Sequence, residues 1–209
     1  LESGTSITSS ALRDAMERAS GGSDTDGTWL WKHAYEAAEC AQVLFLQKYG
    51  ATMRKQTKTP QQLVTMIETI ASLSPSQTKR SDESQALQQF STPLPLAFAA
   101  ARAAAITAAD LVLEPSAGTG LLAAFAAMGG ADLHLNEISQ TRAALLTELF
   151  AGSDVTRHDA GTIHDRLNPS VDPSAILMNP PFSAAPGVTR RYRAATAHHL
   201  RSALARLRP

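Results

Sequence analysis

The sequence has little of what marks a secreted or strongly charged protein. Its 209 residues include one cysteine, Cys40, which allows no internal disulfide and indicates a reducing compartment. It also lacks net charge, because 19 Lys and Arg balance 19 Asp and Glu. The net charge therefore gives no evidence for a nucleic-acid partner, although basic residues can still cluster on one face of a protein with zero net charge.

Long hydrophobic runs are absent as well, and the longest are far short of the ~20 residues of a membrane span. The first residues, LESGTSITSS, carry neither a basic n-region nor an apolar h-region, so no signal peptide is expected. We therefore expect a cytoplasmic globular protein with no membrane partner. Since the first residue is Leu, we also expect a chain processed or excised from something longer.

Two regions of different character are predicted, a helical segment with a linker over 1–80 and an α/β domain over 81–209. In the first region, Ser10 is a candidate cap for a helix that stops at Gly21. The apolar spacing from Asp26 onward predicts a second helix that Gly50 closes. A third helix is expected after Pro60, because proline suits the first helical turn.

Short apolar strands alternate with alanine-rich helices in the second region. Strands are predicted at 111–113, 131–136, 155–156 and 175–178, with helices at 118–128, 139–150 and 189–207. This alternation indicates βαβ units, hence a parallel sheet with helices on its faces. Ligands of such sheets bind at the carboxyl ends of the strands.

A glycine-rich turn, Glu114 to Gly120, follows the first strand, and its glycines let the backbone approach a ligand closely. The lysine of a phosphate-binding P-loop is missing, which argues against nucleotide triphosphate hydrolysis. Glu137, after the second strand, can accept hydrogen bonds from ribose hydroxyls. NAD and S-adenosylmethionine both carry that ribose, and a plain structural turn with a surface glutamate remains a further reading.

Asn179-Pro180-Pro181-Phe182 follows the fourth strand, and its two prolines hold a rigid extended turn. An exocyclic amino group on a purine is a poor nucleophile, because its lone pair is delocalised into the ring. If the Asn179 side-chain oxygen and the Pro180 carbonyl accept its N–H hydrogens, the lone pair becomes available. Phe182 can stack on the base, worth roughly 1–3 kcal/mol, comparable to the few kcal/mol that base flipping costs.

The NPPF, EPSAGTG and LNE motifs together resemble those of class I S-adenosylmethionine-dependent amino-methyltransferases, chiefly the N6-adenine DNA methyltransferases. The stretch from Gln88 to Pro93, QQFSTP, resembles that family's N-terminal cofactor motif, which gives the motif order called gamma. Nicotinamide enzymes have no use for NPPF, so the resemblance favours S-adenosylmethionine.

The resemblance implies a Rossmann-like class I methyltransferase sheet and methyl transfer to an adenine in DNA that is flipped out of the duplex. Asn179 to Phe182 would be catalytic, and no metal is expected. Asp159 matches the position where the family holds the adenine amino group of its cofactor. The implied cofactor-binding residues are Phe90, Thr92, Pro93, Glu114, Pro115, Ala117, Gly118, Gly120, Glu137, Ile138, Asp159, Ala160 and Asn179.

A narrower resemblance is to the methylase half of the bacterial, phage and plasmid strawberry-notch-like methylase–helicase proteins, carried by Ser81 to Pro93. It implies a helicase in the same larger chain. A complete class I sheet has seven strands, whereas about four are predicted here and no target-recognition region is found. We therefore expect an N-terminal fragment that is a poor methyltransferase by itself.

Two alternatives to DNA methylation stay open at this stage. The acceptor could be RNA adenine or a protein glutamine, or the domain could be a non-catalytic cofactor- or DNA-binding module attached to a helicase. The last 20 residues are basic; Arg190 and Arg191 are the candidates for substrate contact. The remaining arginines are expected to be solvated on a helix whose Leu200, Leu204 and Leu207 face inward.

Overall fold

The computed structural model describes residues 1–75, 77, 90–180 and 189–208, without the side chains of 189–195. It divides into two compact units, Leu1–Leu87 and Gln88–Pro209. Among the described residues, no helix combines the length and the apolar character that crossing a bilayer requires.

The first unit is helical, with α1 (Ser9–Ser20), α2 (Trp31–Gln56) and α3 (Pro60–Ser72). Its core includes Trp29 and Tyr35, which pack with Leu12, Ala34 and Ala38. α1 ends at Gly21 in the left-handed conformation, as predicted. α3 begins with Pro60 behind a capping box formed by Thr59 and Gln62.

Two helix boundaries in this unit were predicted wrongly. Thr8, not Ser10, caps α1, because its side chain accepts a hydrogen bond from the Ala11 N–H at 3.1 Å. α2 does not close at Gly50 but continues to Gln56. A glycine inside a helix costs only about 1 kcal/mol relative to alanine, and the additional turn buries Met53.

The second unit is a parallel α/β sheet with the strand order β3-β2-β1-β4. Its strands are β1 (Leu111–Glu114), β2 (Asp132–Asn136), β3 (Asp154–Thr156) and β4 (Ala175–Ile176). The helices are α4 (Leu94–Ala103), α5 (Leu121–Gly129), α6 (Gln140–Leu149), α7 (Ile163–Arg166) and α8 (Thr189–Leu204), with a 3₁₀ turn at Ala160–Thr162. This order and direction confirm the predicted Rossmann-like α/β class with four parallel strands, preceded by an α-helical segment.

Burial on both faces explains why the central strand β1 reads as a continuous apolar run. Val112 and Leu113 of β1 and Leu135 of β2 are fully buried. α4 packs on α5 through the rings of Phe98 and Phe125, whose centroids lie 5.6 Å apart at 63°. The central strand β1 pairs with β2 on one side and β4 on the other, so their carboxyl ends are neighbours.

α8 presents a different face to the sheet from the one predicted. Leu200, Leu204 and Leu207 are 44%, 49% and 38% exposed, so the prediction that they face inward is wrong. Ala203 is fully buried instead, in a cluster with Leu113, Ile163 and Leu167. A small residue at that position lets the helix backbone approach the sheet closely, which the spacing of the leucines does not reveal.

Candidate functional site

The carboxyl edge of the sheet carries the predicted site residues, because all four strands run in the same direction. The glycine turn follows β1, Glu137 and Ile138 follow β2, Asp159 and Ala160 follow β3, and Asn179 and Pro180 follow β4. Pro181 and Phe182 lie outside the described residues, as do residues 81–89 of the narrower resemblance. Arg190 and Arg191 lie in the first turn of α8, but their side chains are outside the described part.

The two glycines of the turn have different physical roles. Both have a positive φ, +59° at Gly118 and +87° at Gly120, a conformation that other residues adopt only with strain. A Cβ on Gly120 would overlap the ring of Phe150 and come within 3.0 Å of Leu146. Among the described residues, a Cβ on Gly118 would meet only an Arg142 nitrogen, at 3.8 Å. Gly120 therefore serves packing, whereas Gly118 keeps the turn open on the side where a ligand could approach.

Glu137 holds this turn against the start of α6. Its Oε2 accepts the Gly118 N–H at 2.9 Å and its Oε1 accepts the Ser139 N–H at 2.8 Å. The side chain is 95% removed from solvent, at 5% exposure. Each carboxylate oxygen has a second lone pair, so Glu137 can accept ribose hydroxyls in addition to these backbone bonds.

Glu114 is a second carboxyl group at the same edge, and it is more deeply buried. Burial raises its pKa well above the ordinary value, and the Glu137 charge raises it further, although a hydrogen bond from the Ala123 N–H opposes both. Within the described residues, Glu114 Oε2 has no hydrogen-bond partner. A carboxyl group whose pKa is raised stays protonated to a higher pH than a free carboxyl group, and in that form it can donate a hydrogen bond.

The loop after β3 presents a carboxylate to solvent. Asp159 is exposed, and its Oδ1 accepts the Gly161 N–H at 2.8 Å at the start of the 3₁₀ turn. His199 of α8 lies close, with Nε2 3.9 Å from Asp159 Oδ1. Burial lowers the pKa of His199, and Asp159 opposes that shift. Asp159 is therefore an available acceptor, as a role in holding an amino group requires.

An exposed apolar side chain follows Glu137 in sequence, because Ile138 is 50% exposed. Ala160, which follows Asp159, is buried. An exposed isoleucine can provide an apolar contact for the flat ring of a ligand.

Asn179 connects the end of β4 to the segment that precedes α4. Its Nδ2 donates to the Phe90 carbonyl at 3.0 Å. Thr92 and Pro93 follow Phe90, and Pro93 is the N-cap of α4. This bond joins two predicted motifs that are 89 positions apart in sequence. It also orients the amide so that nitrogen binds the protein and oxygen remains the acceptor end.

Sequence reasoning missed one residue of this edge, Asn136 at the end of β2. It is fully buried, and its side chain bonds to the residues that follow both β1 and β3. Asparagine is uncommon in the interior of a protein, and that position alone could have drawn attention to it. Its spatial partners could not be read from the sequence.

The arrangement fits S-adenosylmethionine as far as the described residues define it. An open turn at Gly118 suits a ligand that lies close to the backbone, Glu137 suits a diol, and Ile138 with Asp159 suits a purine with an amino group. No group of three or more metal-ligating side chains occurs in the described parts of the chain.

Comparisons with known proteins give structural similarities only. No family model matches the sequence, and a search of curated proteins finds no match. The chain is similar to TrmN from Thermus thermophilus, with 23% identity and a TM-score of 0.45 over 63% of this chain and 41% of that one. It is also similar to PH1948 from Pyrococcus horikoshii, described as a candidate RNA methyltransferase, with 20% identity and a TM-score of 0.49 over 71% and 70%. The chain thus spans less than half of TrmN, and similarity at this level says nothing about the substrate.

Proposed function

We propose that this chain is a methyltransferase domain that uses S-adenosylmethionine and acts on the exocyclic amino group of adenine in DNA. The observation that carries the proposal is the 3.0 Å bond from Asn179 Nδ2 to the Phe90 carbonyl. It brings the NPPF asparagine and the segment Phe90 to Pro93 together at the carboxyl edge of the sheet, which also carries the Gly118 turn and Glu137.

The residues at this edge divide into a cofactor set and an acceptor set. Gly118 and Glu137 would hold the ribose side of the cofactor, Ile138 and Asp159 its base, and the Phe90 to Pro93 segment its methionine end. When bound, the cofactor supplies an activated methyl group on a positively charged sulfur.

The chain's own contribution to the chemistry is positioning. The Asn179 amide oxygen and the Pro180 carbonyl would accept the two N–H hydrogens of the amino group, which makes its lone pair available. The proton that the nitrogen loses on methylation would pass to solvent. Because the Asn179 nitrogen is bonded to Phe90, the amide is held before the acceptor arrives. Correct placement of reacting groups supplies much of the rate in such reactions, so no strong general base is needed.

The test uses the larger parent protein that the resemblance implies, with isotope-labelled S-adenosylmethionine, on adenine-rich single- and double-stranded DNA. Asn179→Ala is expected to lower the rate on the order of 100-fold, which is far more than it should weaken S-adenosylhomocysteine binding. Asn168→Ala is a matched control, since Asn168 is exposed in the loop before β4, at the opposite edge of the sheet. Equal rates in wild type and Asn179→Ala would remove the catalytic assignment.

The same assay separates the alternatives. Methylation of RNA or of a glutamine peptide, but not of DNA, would keep the reaction and change the acceptor. Binding of S-adenosylhomocysteine without turnover on any acceptor would favour a non-catalytic module attached to a helicase. The helicase itself stays a prediction from the narrower resemblance.

A further inference from the structure

The side chain of Asn136 makes four hydrogen bonds at the carboxyl edge of the sheet. Its Nδ2 donates to the carbonyls of Pro115, at 2.9 Å, and His158, at 3.0 Å. Its Oδ1 accepts the His158 N–H at 2.8 Å and the Thr156 hydroxyl at 3.0 Å. Two donors and two acceptors are the whole capacity of a side-chain amide, so this fully buried group is completely satisfied.

These bonds join two loops that do not pair with each other. In the order β3-β2-β1-β4, β2 separates β1 from β3. Pro115 leads into the glycine turn after β1, and His158 immediately precedes Asp159 after β3. The Asn136 amide reaches both sides of its own strand and connects them. A second link is made by its backbone carbonyl, which accepts the Ala117 N–H at 2.9 Å.

We infer that Asn136 is a positioning residue, which fixes the spacing between the glycine turn and the Asp159 loop. If the proposed function holds, that spacing is the distance between the ribose and base contacts of the cofactor. We call the four side-chain hydrogen bonds of Asn136 the Asn136 clamp. The clamp is a property of the fold and can be tested without a ligand. Buried polar groups that lose a hydrogen-bond partner carry a desolvation penalty, so the loops should loosen when the amide is changed.

Two substitutions at Asn136 probe the clamp. Asn136→Asp keeps the shape and both acceptors, but it places a carboxylate oxygen about 3 Å from two carbonyl oxygens, where like partial charges repel. Asn136→Ala removes all four bonds. Ser174→Ala is the matched control at the opposite edge, where the Ser174 hydroxyl donates to Asp110 at 2.7 Å and accepts the Leu111 N–H at 3.2 Å.

The first readout is amide hydrogen exchange followed by mass spectrometry on the full chain. Peptides over 115–120 and 157–161 are expected to exchange roughly tenfold faster or more in both Asn136 variants, while Ser174→Ala leaves them unchanged; tenfold corresponds to about 1.4 kcal/mol of opening free energy. Thr156→Val removes one bond to the amide and leaves β2 intact. If the Asn136 variants fail to fold, Thr156→Val tests the inference instead, and faster exchange is expected at 157–161.

The second readout distinguishes positioning from general stability. In calorimetry with S-adenosylhomocysteine, Asp159→Ala is expected to lower the affinity at least tenfold in the wild-type background. In the Asn136→Ala background the same substitution should lower the affinity less than threefold, because Asp159 is already displaced. If the two residues acted independently, Asp159→Ala would lower the affinity by the same factor in both backgrounds.

Unchanged loop exchange in Asn136→Asp, or in Thr156→Val if the former is unfolded, overturns the inference, as do equal costs of Asp159→Ala in the two backgrounds. Faster loop exchange in a protein that binds no S-adenosylhomocysteine would support the clamp and refute the proposed function.

Discussion

At the scale of single residues, the two glycines after β1 have separable roles. Gly118→Ala puts a methyl group in ordinary contact with Arg142, at 3.8 Å, so its cost in stability is backbone strain of about 1–3 kcal/mol. Gly120→Ala adds overpacking against Phe150, about 1–3 kcal/mol more. We expect Gly118→Ala to reduce S-adenosylhomocysteine affinity at least tenfold in calorimetry. Urea unfolding should show the larger loss of stability in Gly120→Ala.

Gly152→Ala is the control for both variants. Gly152 does not have a positive φ, and a Cβ there would have no neighbour within 4 Å. Neither its stability nor its affinity should differ from wild type. If Gly118→Ala binds as tightly as wild type, the ligand does not approach the turn at this point.

Glu114 makes stability depend on pH in a defined direction. Below its ordinary pKa of 4.5 the carboxyl is protonated in both states. Above that pH the unfolded chain ionises while the buried group, whose pKa is raised, stays protonated. The unfolded state then binds fewer protons, so the free energy of unfolding falls as pH rises, until the folded pKa is passed.

Glu114→Gln should therefore gain stability relative to wild type between pH 5 and pH 8, by at most about 1.4 kcal/mol for each pH unit. The measurement is urea unfolding at both pH values. Glu148→Gln removes a carboxylate from an exposed position on α6 and is the matched control. A difference between Glu114→Gln and wild type that is constant with pH would show that Glu114 ionises in the folded protein.

At the scale of elements, substitutions in α8 can test which face of this helix is buried. Ala203→Leu should destabilise the protein by about 1–3 kcal/mol, because the larger side chain overpacks the cluster around Leu113 and Ile163. Leu204→Ala should change the free energy of unfolding by less than about 0.5 kcal/mol, as is usual at exposed positions. In urea unfolding, a larger cost for Leu204→Ala would mean that its face of α8 is covered.

The same helix shows which features of the fold could not be predicted from the sequence. Short segments with apolar residues were enough to predict the four described strands to within two residues at either end. The pattern is strongest in β1, which is mostly buried, and weaker in β3 and β4, which are only partly buried. For α8 the pattern misled, since the large leucines are exposed and a small alanine makes the contact. For α2, local propensity at Gly50 was overridden by burial further along the helix.

In the candidate site, too, the local features could be predicted from the sequence and the long-range contacts could not. Glycines and acids at strand ends are local signals, and the structure places them at one edge. The bond from Asn179 to Phe90 and the four bonds of Asn136 join residues far apart in the chain. Their geometry depends on strand order and register, which no single segment of sequence specifies.

At the scale of the whole molecule, the candidate site belongs to one of the two units. Its described residues fall between 90 and 180, in the unit Gln88–Pro209. The helical unit Leu1–Leu87 contains none of them. Hydrogen exchange can therefore follow the two units through separate peptides.

We expect S-adenosylhomocysteine to protect the second unit from hydrogen exchange, most strongly in peptides over 115–120, 137–139 and 157–161. A ligand that binds only the folded state at 100 times its dissociation constant adds about 2.7 kcal/mol, so exchange that requires opening of the site should slow by roughly 100-fold. Peptides over 1–75 should change less than these loops. Protection that is greatest in 1–75 would place the binding site in the helical unit and would overturn the assignment of the site to the sheet edge.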